Sequence, residues 1–108
     1  MKNKRSLIVV GGDFYAKDDS TNNCFYSTDG GSTWQIPQAS PPGYRSCVEF
    51  IRKKSWVTCG LNGVDITNDN GQTWKPVNTT GYHVVRKAKH GNAVFLAGAN
   101  GRIGKMKW

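Results

Sequence analysis

The sequence predicts an all-β fold built from repeated four-stranded antiparallel units, and three series of recurring residues predict it. The first is the segment 27–34, STDGGSTW, which recurs as TNDNGQTW at 67–74 with Asp, Gly, Thr and Trp in register. The second is an apolar run that ends in Gly, found at 8–11, 57–60 and 95–98. Repetition of this kind is typical of a tandem array of equivalent structural units.

The third series is a Gly-Tyr pair ahead of a strand-like segment, at 43–44 and again at 81–82. One complete unit spans about residues 44–78. Its predicted strands, named A to D, cover in order 45–51, 55–60, 64–67 and 73–77. Each strand is short, rich in β-branched or aromatic residues and bounded by turn residues. Four such strands in about forty residues match the size of a β-propeller blade.

The repeated turn segment resembles a known motif. In each copy a short polar side chain can accept backbone N–H bonds, and Asn or Gly can adopt positive φ. The frame S/T-x-D-x-G-x-T-W resembles the Asp box, also called the bacterial neuraminidase repeat, and the surrounding order of segments is most similar to propellers related to photosystem II stability and assembly factors. In those families the box is structural and lies away from the ligand site. The resemblance implies this structural role for Ser27, Asp29, Gly31, Thr33, Trp34, Thr67, Asp69, Gly71, Thr73 and Trp74.

Incomplete units flank the complete one. Residues 7–36 contain strands B, C and D of a first blade, and residues 83–108 contain strands A, B and C of a third. The predicted fold is therefore a partial β-propeller of about two and two-thirds four-stranded antiparallel blades, in a single repeat array over residues 1–108. A closed propeller has at least about four blades. We therefore expect a C-terminal fragment whose partners are the remaining blades of a larger propeller, or a chain that self-associates.

Composition excludes several classes of protein. With 3 Cys in 108 residues the chain is not a disulfide scaffold, and no apolar run is long enough to cross a membrane. The formal net charge is +8, and no acidic residue follows Asp69. An anionic partner is one interpretation, and solvated basic side chains on strand faces are the other. Nucleic acid is not expected as a partner, because no recognition motif accompanies the charge.

The candidate ligand face lies where the D-to-A and B-to-C connections share one end of the blades. The connection 12–23 is the longest of them. Long loops on a rigid scaffold often carry binding residues, but they also tolerate insertions. Tyr44 and Arg45 have an alternative interpretation of equal weight, in which Tyr44 packs over the end of a blade and Arg45 is an ordinary surface residue. The candidate binding residues are Asp13, Phe14, Tyr15, Tyr44, Arg45, Tyr82 and His83.

Two hypotheses about function follow from these patterns. The first is a noncatalytic propeller module, or a fragment of one, that acts as a protein- or glycan-binding or assembly scaffold without catalytic residues or a cofactor. The alternative is a fragment of a sialidase-like glycoside hydrolase whose catalytic residues lie outside this chain. That chemistry needs an Arg cluster, a Tyr and Glu nucleophile pair and an acid Asp. This chain has a single Glu, Glu49, and its Arg residues are dispersed.

The three cysteines allow two chemical states. A hairpin that closes on the turn 52–54 places Cys47 opposite Cys59. A disulfide can then form in an oxidising compartment, and two buried thiols that behave as small apolar groups are the alternative. Cys24 has no evident partner, and no Cys or His spacing is typical of a metal site. Propellers with this motif are often exported, but no export signal is visible in this sequence. The sequence therefore does not predict the cellular compartment.

Overall fold

The computed structural model describes residues 5–13 and 15–107. These residues form β-strands and one short 3-10 turn, Ala99–Gly101, so the predicted all-β class is confirmed. In chain order the strands are β1 (Leu7–Val10), β2 (Cys24–Ser27), β3 (Cys47–Arg52), β4 (Ser55–Gly60), β5 (Gly63–Thr67), β6 (Lys75–Asn78), β7 (Val84–Lys87), β8 (Ala93–Ala97) and β9 (Ile103–Lys107).

The strands form three antiparallel sheets. The first sheet pairs β1 with β2, the second has the order β3-β4-β5-β6, and the third has the order β7-β8-β9. Within each sheet, strands that follow one another in the sequence are neighbours, as in hairpins and meanders of antiparallel strands. Within the described residues the sheets close into neither a barrel nor a propeller. No helix in the same residues is long and apolar enough to span a membrane.

The β3–β4 hairpin has a tighter turn than the sequence predicts. Arg52 pairs with Ser55, so that the turn consists of two residues, and the first of them, Lys53, has a φ of 54°. Two-residue turns with positive φ suit the twist of antiparallel strands. An irregularity between Phe50 and Arg52 then restores the predicted register further along the hairpin.

The predicted strand D of the first unit, near the end of residues 7–36, does not form. A single antiparallel bridge between Tyr26 and Gln35 stands in its place, with N···O distances of 3.0 and 2.8 Å. The next residue but one is Pro37, which has no N–H to donate to a ladder. The chain then leaves the first sheet, and Ala39 O accepts a 2.9 Å bond from Trp74 N beside the second sheet.

Two apolar cores hold the sheets together. The first core joins the first and second sheets through Ile8, Cys24, Tyr26, Trp56 and Trp74. The second core joins the second and third sheets through Ile51, Val57, Cys59, Val64, Tyr82, Val85, Val94 and Leu96. Side chains alternate between the two faces of a strand, and β4 accordingly sends one set to each core. The second sheet packs against a neighbouring sheet on each face, apart from its exposed edge strand β6, whereas each outer sheet packs on one face.

Candidate binding site at the loop end

The connections that follow β1 and precede β3 are tied together at one end of the stack. Asn23 Nδ2, which is buried, donates to Pro41 O at 2.7 Å and to Gly43 O at 2.6 Å. Tyr44 N donates to Lys17 O at 2.9 Å. These bonds attach the long connection 12–23 to the segment that leads into the second sheet. We call this region the loop end.

A chain of polar contacts runs from the core to the surface of the loop end. Arg45 Nε lies 2.6 Å from Asp65 Oδ2, and both side chains are 0% exposed. Arg45 Nη1 donates to Asn62 Oδ1 at 2.6 Å, and Asn62 Nδ2 donates in turn to Asp18 Oδ1 at 2.6 Å. The exposed loop that carries Asp18 is therefore connected to a fully buried ion pair.

Asp65 and Asp18, the two carboxyl groups in this series of contacts, have pKa values shifted in opposite directions. Burial raises the pKa of Asp65, and the bond and positive charge of Arg45 limit that rise. The bond from Asn62, together with the bond and charge of Lys17, lowers the pKa of Asp18. Asp18 is therefore an ionised acceptor at neutral pH, which suits its bond to the Asn62 amide.

Two of the candidate binding residues have buried side chains. Arg45 is 1% exposed, so the interpretation of a surface Arg is wrong, because Asp65 and Asn62 hold the guanidinium inside. Tyr82 is 9% exposed and belongs to the second core. Its ring lies so close to Gly104 that a Cβ there would be 2.6 Å from the Tyr82 Oη. Both residues support the loops from beneath and are not presented to a ligand.

The other candidates lie nearer to solvent. Tyr15 is 93% exposed, and its backbone N donates to the exposed Asp13 at 2.9 Å. Tyr44 is half-buried, and His83 is exposed, with its backbone fixed by a 2.7 Å bond to Ala97 O. Phe14 lies outside the described residues. The side chains that a ligand can reach at the loop end therefore include Asp13, Tyr15, Tyr44 and His83.

The repeated turns lie at the opposite end of the stack. In the first turn, Asp29 Oδ1 accepts from Ser27 Oγ at 2.8 Å and from Thr33 N at 2.9 Å. Asp29 Oδ2 accepts from Thr33 Oγ1 at 2.6 Å, and Gly31 N donates to Ser27 Oγ at 2.9 Å. The carboxylate thus joins the two sides of the turn, which is a structural role.

The second turn repeats this pattern bond for bond. The corresponding distances around Asp69 are 2.7 Å to Thr67 Oγ1, 2.9 Å to Thr73 N and 2.6 Å to Thr73 Oγ1, and Gly71 N lies 3.0 Å from Thr67 Oγ1. Gly31 and Gly71 have φ values of 97° and 93°, which favour glycine. Asn70 N also donates to Lys54 O at 3.0 Å, which places this turn beside the β3–β4 hairpin.

The tryptophans of the two turns differ in burial. Trp74 is 4% exposed and packs in the first core, whereas Trp34 is 42% exposed. Trp34, Val9 and Phe25 line an open apolar depression of about 340 Å³ on the outer face of the first sheet. The same motif therefore gives a buried ring where a neighbouring sheet covers it and a half-exposed ring in the first sheet.

The cysteines are free thiols in the structure. Cys47 lies directly opposite Cys59 in the β3–β4 register, as the sequence predicts. Burial raises the pKa of Cys24 and of Cys59 to about 12 in each case. Among the residues that the structure describes, no three His, Cys, Asp or Glu side chains are grouped so that they could hold a metal ion. Glu49 Oε2 accepts a 2.9 Å bond from Lys87 N, which links the second and third sheets.

Sequence reasoning missed the residues that anchor the loop end. Asp65 is central to it, and the signal that could have found it is a single acid between Val64 and Ile66 in an apolar strand. A buried carboxylate requires a partner, and Arg45 was the available cation near the start of the same unit. Asn23 gave no comparable signal, because Asn is an ordinary residue at the end of a loop.

Comparison with models of known protein families, with curated proteins and with solved structures finds no match to this chain. A functional proposal for it therefore rests on its own residues and contacts.

Proposed function

We propose that the chain is a noncatalytic binding module, in which repeated sheets of the Asp-box propeller type form a rigid scaffold and the loop end holds a protein or glycan partner. The observation that carries the proposal is the anchoring of the long connection 12–23. Tyr15 on this connection is 93% exposed, while Asp18 is bonded through Asn62 to the buried Arg45. An exposed aromatic ring on a fixed loop loses little conformational freedom on binding.

The equivalence of the two turns supports the part of the proposal that treats the sheets as repeats of one unit. Trp34 occupies in the first turn the position that Trp74 occupies in the second. Trp74 is covered by Ile8 and Tyr26 of the sheet that precedes it. By the same relation a further sheet is expected to cover Trp34, supplied by additional blades or by another copy of the chain.

The chemistry at the loop end suits a ligand with both apolar and polar faces. Tyr rings pack against sugar or peptide surfaces, and their hydroxyl groups form hydrogen bonds. Asp13 and Asp18 add exposed acceptors, and His83 adds an exposed imidazole. The sialidase-like alternative places its catalytic residues outside this chain, and the one Glu of this chain, Glu49, is bonded to the backbone of β7. We therefore favour binding over hydrolysis.

The proposal is tested with two ligand panels, an array of neutral and acidic glycans and a library of displayed peptides. We expect at least one panel to give a ligand whose binding is weakened at least about tenfold by Tyr15→Ala, since an aromatic hot spot is worth about 2 kcal/mol. The matched control is Phe95→Ala, an exposed aromatic on the third sheet, 44% exposed, which should bind normally. Equal losses in both variants, or no ligand from either panel, would contradict the proposal. Turnover of a sialoside by this chain assembled with additional blades would instead support the alternative.

A further inference from the structure

A pair of thiols and one guanidinium meet where the second and third sheets pack together. Cys47 on β3 lies opposite Cys59 on β4, and both side chains belong to or pack against the second core. Arg86 is on β7, and its Nη1 lies 3.0 Å from Cys47 Sγ. Three strands from two sheets therefore bring these groups together, and neither the repeat nor the loop end uses them.

The two thiols differ in exposure and in surroundings. Cys47 is partly exposed, whereas Cys59 is fully buried. The Arg86 guanidinium, which also donates to Val85 O at 2.8 Å, is held against the Cys47 sulfur. The charged groups near Cys47 further include Glu49 on the same strand, whose carboxylate is bonded to Lys87 N. Cys47 Sγ thus accepts from Arg86 Nη1 and lies 3.5 Å from Val85 O, and of the two opposed sulfurs it belongs to the residue that is partly exposed.

We propose that Cys47 is a reactive thiol that is oxidised by small disulfides, and that Cys59 resolves the product into a reversible Cys47–Cys59 disulfide. Directly opposed residues of antiparallel strands have Cβ atoms about 4.5–5.5 Å apart. A disulfide requires about 3.5–4.5 Å. The strands therefore have to approach by about 1 Å or less, which a hairpin with an irregularity at residues 50–52 can accommodate.

The reaction has two exchange steps. In the first, the Cys47 thiolate attacks one sulfur of a small disulfide RSSR, the S–S bond breaks, and RS⁻ leaves and takes up a proton from solvent. In the second, Cys59 loses its proton and attacks Cys47 Sγ, and the second RS⁻ leaves and is protonated in the same way. Two protein thiols are oxidised by two electrons, and one RSSR is reduced to two RSH.

Cys24 provides an internal control for this chemistry. It is 1% exposed and lies in the first core, beside Ile8 and Trp74. The second sheet thus separates Cys24 from the Cys47 and Cys59 pair. A buried thiol is not reached by a disulfide from solvent, and Cys24 lies opposite Val10 rather than another cysteine, so the native protein should not react at Cys24.

The folded chain is treated with oxidised glutathione, the excess is removed, and the chain is then unfolded so that every unreacted thiol, including the buried Cys24, is alkylated before intact-mass and peptide analysis. We expect a product that has lost two hydrogens and carries one alkyl group, on Cys24. Trypsin cuts between the two cysteines, after Arg52, Lys53 and Lys54. The non-reduced digest should therefore contain peptide 46–52 linked to peptide 55–86, and a reducing thiol should restore both.

Variants separate the two steps. Cys59→Ala should stop at the glutathione adduct of Cys47, Cys47→Ser should give no adduct, and Cys24→Ser should react as the wild type does. Arg86→Gln should slow the first step by about tenfold, because it removes the cation whose N–H lies 3.0 Å from the Cys47 sulfur. The linked peptide in the wild type tests the disulfide without requiring any variant to fold. Its absence, its formation in denaturant alone, or an unchanged rate in a folded Arg86→Gln would overturn the proposal.

Discussion

Arg45 and Asp65, twenty residues apart, form an ion pair in which Nε lies 2.6 Å from Oδ2 and neither side chain reaches solvent. The pair does not satisfy all of its polar atoms, since Arg45 Nη2 and Asp65 Oδ1 have no hydrogen-bond partner among the residues that the structure describes. A buried pair of this kind adds little net stability, but removal of one member leaves an uncompensated charge in the interior. Because Arg45 also donates to Asn62, the ion pair fixes the position of the loop end.

Loss of one member of this pair should therefore be strongly destabilising. Asp65→Ala is expected to lower the free energy of unfolding by about 3–5 kcal/mol, because it leaves the Arg45 guanidinium buried without a counter-charge. The double variant Arg45→Met with Asp65→Leu should recover much of this loss, which urea denaturation of the single and double variants would show. Lys17→Ala, which removes an exposed cation from Asp18, should leave the denaturation midpoint nearly unchanged. If the double variant loses as much stability as the sum of the losses in Arg45→Met and Asp65→Leu made separately, the two residues are not energetically coupled and the account is wrong.

The repeated turns predict an acid dependence of stability. Partial burial by itself raises the pKa of Asp69, but bonds from Thr73 and Thr67 outweigh it and leave the pKa lower than its ordinary value of 3.8. The folded state then binds the proton less readily than the unfolded state does. The resulting stability is complete at pH values well above 3.8 and is lost as the pH falls through the folded-state pKa.

Asp69→Asn should accordingly flatten the fall in stability on the acid side. The measurement is a series of denaturation curves between neutral pH and about pH 2, taken as the difference between the variant and the wild type. The difference is needed because Asp65 works in the opposite direction: its pKa is raised, so its protonation at low pH favours the folded state. Asp29, whose pKa is lowered by the bonds from Thr33 and Ser27, should behave like Asp69. A parallel acid dependence in wild type and variant would contradict this account.

The two tryptophans of the repeated turns should differ in their contribution to stability. Trp74→Ala removes a buried ring from the first core and is expected to cost about 3–5 kcal/mol. Trp34→Ala, at the equivalent position of the other turn, should cost about 1 kcal/mol or less in the isolated chain. Thermal or urea unfolding of the two variants side by side makes the comparison. Equal losses would mean that Trp34 is already covered in solution.

Self-association is expected to involve the outer face of the first sheet. Leu7, Val9, Trp34 and Ile36 are 38%, 49%, 42% and 66% exposed. Exposed apolar patches of this kind mark sites of association. Light scattering coupled to size exclusion should give a mass above that of one chain, and Val9→Lys should shift it towards the monomer. Thr21→Lys adds the same charge on the exposed long connection, and it should have no effect. A monomeric wild type would exclude a second copy of the chain as the source of the covering sheet.

Local interactions explain what the sequence predicted well. The bonds of both repeated turns join residues two or four positions apart, so the motif alone specifies them. The position of β4 and the opposition of Cys47 and Cys59 follow in the same way from a short hairpin. These features require no knowledge of the neighbouring sheets.

By itself, then, the sequence determined the all-β class, the repeat and the chemistry of the turns, because short-range hydrogen bonds and strand alternation decide them. The tertiary structure alone decided the burial of Arg45, the different exposures of Trp34 and Trp74, and the loss of a strand beside Gln35. Each of these depends on which sheet or loop lies across a given side chain. That is a matter of packing between segments far apart in the chain, which a local pattern does not specify.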